Sequence, residues 1–157
     1  MIKKYLGRFC LVSSLTLSGC VSTELATNES KTTAPLADLT NTYWKLVQLG
    51  ETNVEVTSEQ QTERHFTLHS NDGRIAGFSG CNRFFGQFNT KAITVAAGNL
   101  QFSFLGTTQM ACPDAKLNEQ SVLNVFANTT AYKITAESLA LFNQDGVELA
   151  SFTAVYF

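Results

Sequence analysis

The stretch RHFTLHSNDGRIAGF, which occupies Arg64–Phe78, decides the fold of this chain. Its first half alternates between two faces of a strand, with Phe66 and Leu68 on one face and His65, Thr67 and His69 on the other. Such alternation is typical of a strand with one buried and one solvated face. The Asn-Asp-Gly tripeptide at 71–73 favours a turn before the second run, Arg74–Phe78. The stretch therefore predicts a β-hairpin.

Short apolar runs separated by Gly, Asn and Asp continue on both sides of this hairpin. The other predicted strands are Thr42–Leu49, Phe84–Asn89, Ala92–Val95, Leu100–Leu105, Ala131–Ala136, Leu139–Phe142 and Val147–Tyr156, with a polar loop at Glu51–Gln61 and a second hairpin turn at Asn143–Gly146. One segment, from Pro113 to about Thr129, has apolar residues at helical spacing and predicts a helix between the sixth and seventh strands. We expect a mainly β fold of seven to nine strands with one helix. Closing or nearly closing the sheet into a barrel would remove its exposed edges.

Composition excludes several classes of protein. The chain has 157 residues, of which 44% are hydrophobic and 15% charged, so it is a globular chain for which one domain is expected. The formal charge is −2, and no cluster of basic residues stands out. Phosphate backbones are bound by a surplus of Lys and Arg, so nucleic acid is not an expected partner.

The first twenty residues have the pattern of a bacterial lipoprotein signal. Lys3, Lys4 and Arg8 precede a short apolar run, and the run is too short for a membrane span, which needs about 20 apolar residues. The tetrapeptide at 17–20, Leu-Ser-Gly-Cys, resembles a lipobox. That resemblance implies cleavage after Gly19, a diacylglycerol group on Cys20, and acylation of the new amino terminus by a fatty acid such as palmitate. An ordinary cleaved signal with an unrelated cysteine is the alternative.

The predicted anchor determines the expected domain organisation and the expected location in the cell. Residues 1–19 are the signal peptide, 20–38 are the lipidated cysteine with a flexible polar tether, and 39–157 are the folded domain. Several acyl chains hold a protein stably on a bilayer, whereas one does so only marginally. Val21 follows the cysteine in place of the Asp that retains enteric lipoproteins in the inner membrane. By that analogy we expect attachment to the outer membrane, facing the periplasm.

The cysteines left after processing are Cys81 and Cys112. Two cysteines in an oxidising compartment favour a disulfide, which for a loop of about 32 residues stabilises a fold by roughly 3–4 kcal/mol. Two free thiols are a second interpretation. A third is a redox pair in which Cys112, before the predicted helix, is the reactive thiol, although no Cys-x-x-Cys spacing supports it.

No residue pattern indicates catalysis, a metal or a cofactor. His65 and His69 are expected on a strand, where four residues span about 13 Å, too far for both to bind one metal at about 2 Å. We therefore expect them to be solvated on the outer face. No catalytic triad, phosphate-binding glycine loop or paired carboxylates can be named, and Glu119 is only a candidate for burial against the preceding loop. The chain is expected not to be an enzyme.

Two groups of motifs occur in order along the predicted domain: Trp44-x-Leu46, Gly73-Arg74-x-x-Gly77, Gly80-Cys81-Asn82-Arg83-Phe84 and Gly86, and later Thr107-Thr108-Gln109-Met110-Ala111-Cys112 and Leu117-Asn118-Glu119. Together they resemble the META domain of the HslJ type. The resemblance covers about Leu39–Phe157. It implies a small open or cracked β-barrel with a helix, in an envelope lipoprotein connected in some members with heat shock or antibiotic tolerance. It supplies no catalytic residue.

We interpret the signature positions of this family as structural. They are Trp44, Gly77, Gly80, Asn82, Gly86, Thr108, Met110 and Glu119, together with Cys81 and Cys112. Asn82 is expected to tolerate unusual backbone angles and Met110 to fill a gap in the core. Glycine within a strand often marks a bulge or a close approach of two backbones.

Three functions remain in competition. The first is a monomeric, non-catalytic envelope lipoprotein whose barrel face or mouth binds a partner protein or an apolar ligand. It is suggested by a Phe-rich set of strand residues that could also simply fill the core: Phe78, Phe84, Phe85, Phe88, Phe102 and Phe104. The second is a stress component or inhibitor-like module acting by surface contact. The third is a thiol redox protein that uses Cys81 and Cys112.

Overall fold

The computed structural model describes residues 35–54, 63–111 and 119–157. The strands in these ranges are β1 (Tyr43–Leu49), β2 (Thr52–Asn53), β3 (His65–His69), β4 (Arg74–Phe78), β5 (Arg83–Ala92), β6 (Ala97–Thr107), β7 (Ala131–Thr135), β8 (Ser138–Phe142) and β9 (Glu148–Val155). The helix α1 (Glu119–Asn128) lies between β6 and β7. The predicted signal peptide, Cys20, most of the tether, Cys112 and the start of the predicted helix lie outside the described residues.

All nine strands belong to one antiparallel sheet in the order β2-β1-β3-β4-β5-β6-β7-β8-β9. Because β9 also pairs with β1, eight strands close into a barrel and β2 is an addition beside β1. The barrel has two short joins: β1 and β3 share two paired positions and β6 and β7 share three, whereas β5 and β6 share eight. The predicted mainly β barrel with one helix is confirmed.

The barrel core follows from the alternation of apolar residues along the strands. In β3, Phe66 and Leu68 are fully buried while His65, Thr67 and His69 are half-buried, which agrees with the alternation predicted from the sequence. An eight-stranded barrel is narrow enough for side chains to fill its interior. The largest fully buried side chains are Trp44, Phe66, Phe84, Phe126, Phe152, Leu68, Ile75, Leu100, Leu139 and Leu141.

The helix contributes its apolar side to the same core. Val122, Val125 and Phe126 are buried, at the three- and four-residue spacing that places side chains on one helical face. The Phe126 ring meets four core rings at centroid distances of 4.9–6.4 Å: Phe66, Phe84, Phe102 and Phe152. Phe126 therefore joins strands that lie on different sides of the barrel.

Two sequence-based expectations about the strands are wrong. Ala92–Val95 is not a separate strand, because β5 ends at Ala92 and the chain turns before β6 begins at Ala97. Ala92 pairs with Gly98, where a Cβ atom would come within 2.4 Å of a backbone oxygen, so glycine permits the close hairpin. In the predicted loop, Thr52 and Asn53 form β2, and 55–62 lie outside the described residues.

The hairpin turn at Asn143–Gly146 is confirmed. The Asn143 Oδ1 atom accepts hydrogen bonds from the backbone amides of Asp145 and Val147 at 3.0 and 2.9 Å, and Gly146 has a φ of 76°. Near the start of the described residues, Ala37 is buried and the indole of Trp44 donates to the Leu39 carbonyl at 3.0 Å. Within the described ranges, no helix is long and apolar enough to cross a membrane.

Candidate functional site

Several of the family-motif residues meet around one buried side chain, Asn82, which is 4% exposed. Its Nδ2 group donates to Glu119 Oε2 at 2.8 Å and to the Met110 carbonyl at 3.3 Å. Its Oδ1 atom accepts from Thr108 Oγ1 at 2.9 Å and from the Met110 amide at 2.7 Å. The amide therefore ties together the β4–β5 loop, the segment after β6 and the start of α1.

Ser79 completes this cluster from the same loop. Its Oγ atom accepts a hydrogen bond from the backbone amide of Asn82 at 3.0 Å. The same Oγ atom lies 2.9 Å from the backbone carbonyl oxygen of Asn82 and 3.1 Å from Glu119 Oε1. Glu119, in the first described turn of α1, is thus held by two side chains of the loop. We call Ser79, Asn82, Thr108 and Glu119 the Asn82 cluster.

Two expectations about these motif residues are wrong. The Met110 side chain is 67% exposed and does not fill a core gap, because Met110 joins the cluster through its backbone. Asn82 is not among the described non-glycine residues with positive φ, which are Asn41, Phe104 and Ala136. Its side-chain amide is needed for the groups that it bonds. Sequence alone does not reveal this, since the partners lie 26 to 37 positions away.

The motif glycines lie at close approaches. A Cβ at Gly77 would fall 2.4 Å from the His65 carbonyl, and one at Gly86 would fall 2.8 Å from the Ser103 carbonyl, beside a bulge between β5 and β6. Gly80 has a φ of 98° and packs under the Arg64 guanidinium. Burial lowers the pKa of Arg64, whose buried Nε atom has no hydrogen-bond partner among the described residues.

Cys81 lies beside the Asn82 cluster. Its Sγ atom is 3.2 Å from Asn82 Nδ2 and 3.5 Å from the Met110 carbonyl oxygen. Cys112, its predicted disulfide partner, lies outside the described residues. The Cys81–Cys112 bond therefore stays a prediction.

A groove opens on the outer face of the barrel, across β1, β3, β4 and β5, with a volume of about 590 Å³. The register Trp44↔Phe66 places Tyr43 opposite Thr67, and Thr67 pairs with Ala76, which pairs with Phe85. The small side chains Thr67 and Ala76 form the floor of this row, and the rings of Tyr43 and Phe85 stand at its two ends. Three strand spacings separate these rings, or about 14 Å.

The walls of the groove are aromatic. The rings of Tyr43 and His65 stack at 4.3 Å, and the His65 and Phe78 centroids are 6.3 Å apart. Phe85 is 54% exposed and covers Gly106, where a Cβ would meet its ring at 3.0 Å. Because Gly106 has no side chain, the Phe85 ring can pack directly on the backbone of the neighbouring strand. Aromatic residues often cover glycines of neighbouring strands in this way.

His65 is not simply solvated, contrary to expectation, because it is half-buried between Tyr43 and Phe78. Burial lowers its pKa from 6.5; the positive charge of Arg83 acts in the same direction, and Glu63 opposes it. Burial also raises the pKa of Tyr43, and the hydrogen bond and charge of Glu63 raise it further. At neutral pH the two stacked rings are therefore uncharged.

Some of the charged side chains around the groove form ion pairs with each other and one does not. Glu63 forms an ion pair with Lys45, and Asp72 lies 3.6 Å from Arg74. The exposed guanidinium of Arg83, at the edge of the groove, makes no ion pair within 35–54, 63–111 and 119–157. The two acidic groups close to the groove are thus already paired, and Arg83 is available to an anion.

The Phe-rich set divides between the core and the surface. Phe84 is buried, and Phe88 and Phe102 pack against the core. Phe85 and Phe104 are 54% and 82% exposed, so these rings do not fill the interior. Phe104 has a φ of 53° at the bulge opposite Gly86, an uncommon conformation for an aromatic residue.

The described residues contain no group of three or more His, Cys, Asp or Glu side chains that could hold a metal ion. Sequence analysis missed the groove residues Tyr43, Ala76 and Arg83. A signal was present: outward positions of four neighbouring strands carry two small residues between two aromatic ones. Recognising this pattern requires the register between the strands, which the sequence alone does not reveal.

The model of the META domain family matches residues 37–156, which include the Asn82 cluster and every strand. The chain belongs to the META domain family. This META domain begins at Ala37, the first buried residue of the described chain. Four signature residues of the family, Asn82, Thr108, Met110 and Glu119, thus come together at the β4–β5 loop, while Gly77, a fifth, lines the groove.

Two solved structures are similar to this META domain. An NMR structure of a protein from Burkholderia xenovorans has 26% sequence identity and a TM-score of 0.60, and the match covers 76% of this chain and 85% of that one. A second NMR structure has 20% identity and a TM-score of 0.55, covering 73% and 90%. The second likeness concerns the fold alone. No curated protein matches the chain.

Proposed function

We propose that this META protein is a non-catalytic binding module, anchored by lipid at Cys20 to the periplasmic face of the outer membrane. It would contact another component of the envelope and help the cell to withstand stress such as heat. Membership in the META family is established by the domain match. The anchor, the binding role and the stress role are the proposal.

The groove is the observation that carries the binding role. Its exposed rings lie on the outer face beside Arg83, which makes no ion pair with another described residue. Tyr43 and Phe85 expose aromatic surface beside a cation, and Tyr and Arg are enriched where proteins bind partners. The lipobox at 17–20 supports the anchor, and the polar tether would allow the domain to reach about 25 Å from the bilayer.

The anchor is tested by globomycin, which blocks the lipoprotein signal peptidase. We expect a precursor that retains residues 1–19 to accumulate, and the untreated protein to carry acyl chains on Cys20 in mass spectrometry. Membrane fractions should hold it with the outer membrane. A mature protein without acyl chains would contradict the anchor.

The binding role is tested in cells with a photoreactive amino acid. Placed at Phe85, an aromatic wall of the groove where it leaves the floor open, it should form a cross-linked adduct with an envelope component. The matched position is Lys133, which is exposed on β7 away from the groove. In a deletion strain exposed to heat, the wild type should restore survival and Ala76→Trp, which fills the groove, should not.

The redox alternative makes a different prediction for the same strain. If a folded Cys81→Ser, Cys112→Ser double variant failed to restore survival while Ala76→Trp succeeded, the thiols and not the groove would carry the function. Equal cross-linking at Phe85 and Lys133 would also contradict a specific binding face.

A further inference from the structure

We propose that the groove binds a protein segment in which a large apolar or aromatic side chain is flanked by carboxylates. This inference rests on the proposed binding function and names the chemistry of its partner. Its parts are the floor of Thr67 and Ala76, the rings of Tyr43 and Phe85, and the cation Arg83.

The shape of the groove favours a side chain presented by another protein. The floor is two strands wide, and the rings at its ends are about 14 Å apart, so that one inserted ring or branched side chain fits between them. The groove is open to solvent along the sheet and continues past Ala76 toward His69 and Arg74. A small molecule would remain largely exposed there, whereas well-formed ligand pockets bury most of their ligand.

The charge around the groove favours an acidic segment. The cations around the groove are Lys45 and Arg83 on one side and Arg74 on the other, and the His65 ring between Lys45 and Arg83 is uncharged at neutral pH. The acidic groups facing this region are Glu63 and Asp72, which already pair with Lys45 and Arg74. Arg83 therefore offers its guanidinium fork to a carboxylate, for which its planar geometry is suited.

The surrounding surface allows the contact to spread. The Phe85 ring, on β5, stands over Gly106 of β6. Two residues before Gly106, the Phe104 ring is 82% exposed at the bulge. Phe157 packs edge-on against Tyr43 at 5.2 Å and is 89% exposed. Aromatic rings thus extend the apolar surface on both sides of the groove. A partner segment longer than one residue has contacts available at each end.

The test uses the mature lipoprotein in uncharged detergent micelles and synthetic peptides observed by fluorine NMR. The probe is acetyl-Gly-Glu-(4-fluoro-Phe)-Glu-Gly-amide, and two control peptides replace both Glu residues by Gln or by Lys. We expect the acidic peptide to bind with a dissociation constant below about 1 mM. The Gln peptide should bind about fivefold more weakly, as the loss of exposed ion pairs implies, and the Lys peptide more weakly still.

Variants locate the site. Arg83→Gln should weaken the acidic peptide about fivefold and leave the Gln peptide unchanged, because it removes only the charge contact. The matched control Lys133→Gln removes an equally exposed cation from β7 and should change nothing. Ala76→Trp should abolish binding, with its melting temperature measured to confirm folding. Phe85→Ala, which removes a wall, should weaken all three peptides.

Other results would overturn the inference. Equal binding of the Glu and Lys peptides would refute the acidic specificity, and equal effects of Arg83→Gln and Lys133→Gln would refute the site. If N-acetyl-4-fluoro-phenylalanine bound as tightly as the peptide, the ligand would be a small aromatic acid. If phosphatidylglycerol vesicles displaced the probe peptide, the ligand of the groove would be a lipid. Absence of peptide binding, together with loss of survival in Ala76→Trp cells, would refute this ligand and leave the binding function standing.

Discussion

Replacement of Asn82 by alanine tests the interpretation of the family motif most directly. The Asn82 side-chain amide makes hydrogen bonds to Glu119, Thr108, both backbone groups of Met110 and the Cys81 Sγ atom. Alanine cannot replace any of them. The distant partners lie in the segment after β6 and at the start of α1, so loss of these bonds should loosen the connection of both to the β4–β5 loop.

The expected cost follows from the burial of each partner. A hydrogen-bonding group left unsatisfied in a buried place costs about 1–3 kcal/mol, and groups that water can reach cost less. Glu119 is half-buried, whereas the Met110 side chain is exposed and water can approach its backbone. We therefore expect Asn82→Ala to lower the free energy of unfolding by about 3 kcal/mol, which for a domain of this size lowers Tm by about 12 °C.

Urea unfolding followed by circular dichroism measures this change. The matched control is Asn89→Ala, which makes the same replacement at an exposed position of β5, the strand that follows the Asn82 loop, where the side chain makes no described hydrogen bond. The control should stay within about 0.5 kcal/mol of the wild type. A loss below 1 kcal/mol in Asn82→Ala, or equal losses in the two variants, would refute the structural role of the Asn82 cluster.

Three further predictions concern the neighbourhood of this cluster and of the groove. Gly80→Ala should cost about 1–2 kcal/mol in unfolding free energy, because φ at Gly80 is 98° and a Cβ would lie 2.7 Å from the Arg64 guanidinium. NMR titration should give His65 a pKa below 6.5, since burial disfavours the imidazolium. The folded protein then binds fewer protons than the unfolded chain, so the stability contributed by His65 is full above pH 6.5 and is lost as the pH falls through the folded pKa. Non-reducing mass spectrometry should find the Cys81–Cys112 disulfide, and its reduction should lower Tm by an amount corresponding to roughly 3–4 kcal/mol.

Each of these predictions has its own contradicting result. Gly50→Ala is the control for Gly80, because Gly50 also has a positive φ but open space around it; a larger loss at Gly50 would contradict the close packing under Arg64. For His65, a His65→Gln variant with the same loss of stability between about pH 7.5 and 5.5 as the wild type would contradict the sign. Two alkylatable thiols in the unreduced protein would rule out the disulfide.

Much of the strand pattern could be predicted because alternation is a local property. Phe66 and Leu68 are buried as their spacing indicates, and Val122, Val125 and Phe126 form one helical face. Ala92–Val95 has similar apolar alternation and still forms a turn. It forms the turn because Gly98 lets the backbones of β5 and β6 approach closely, a requirement that the alternation of apolar residues does not reveal.

The candidate sites were predicted only in part. Motif residues such as Asn82 and Glu119 were recognised as structural, but the bonds between them cross 37 positions of the chain. The groove was missed because Tyr43, Ala76 and Phe85 meet only when four strands take a particular register. A shift of one residue would turn each of these side chains to the other face of the sheet.

By itself, the amino-acid order determined which segments become strands and helix and which faces are apolar, since these depend on neighbours a few residues apart. Tertiary structure decided that β9 closes the ring onto β1, that one asparagine joins three segments, and that small residues lie between aromatic rings on the outer surface. The physical reason is that closure and register are set by packing and hydrogen bonding between segments far apart in the chain, whose alignment no local pattern specifies.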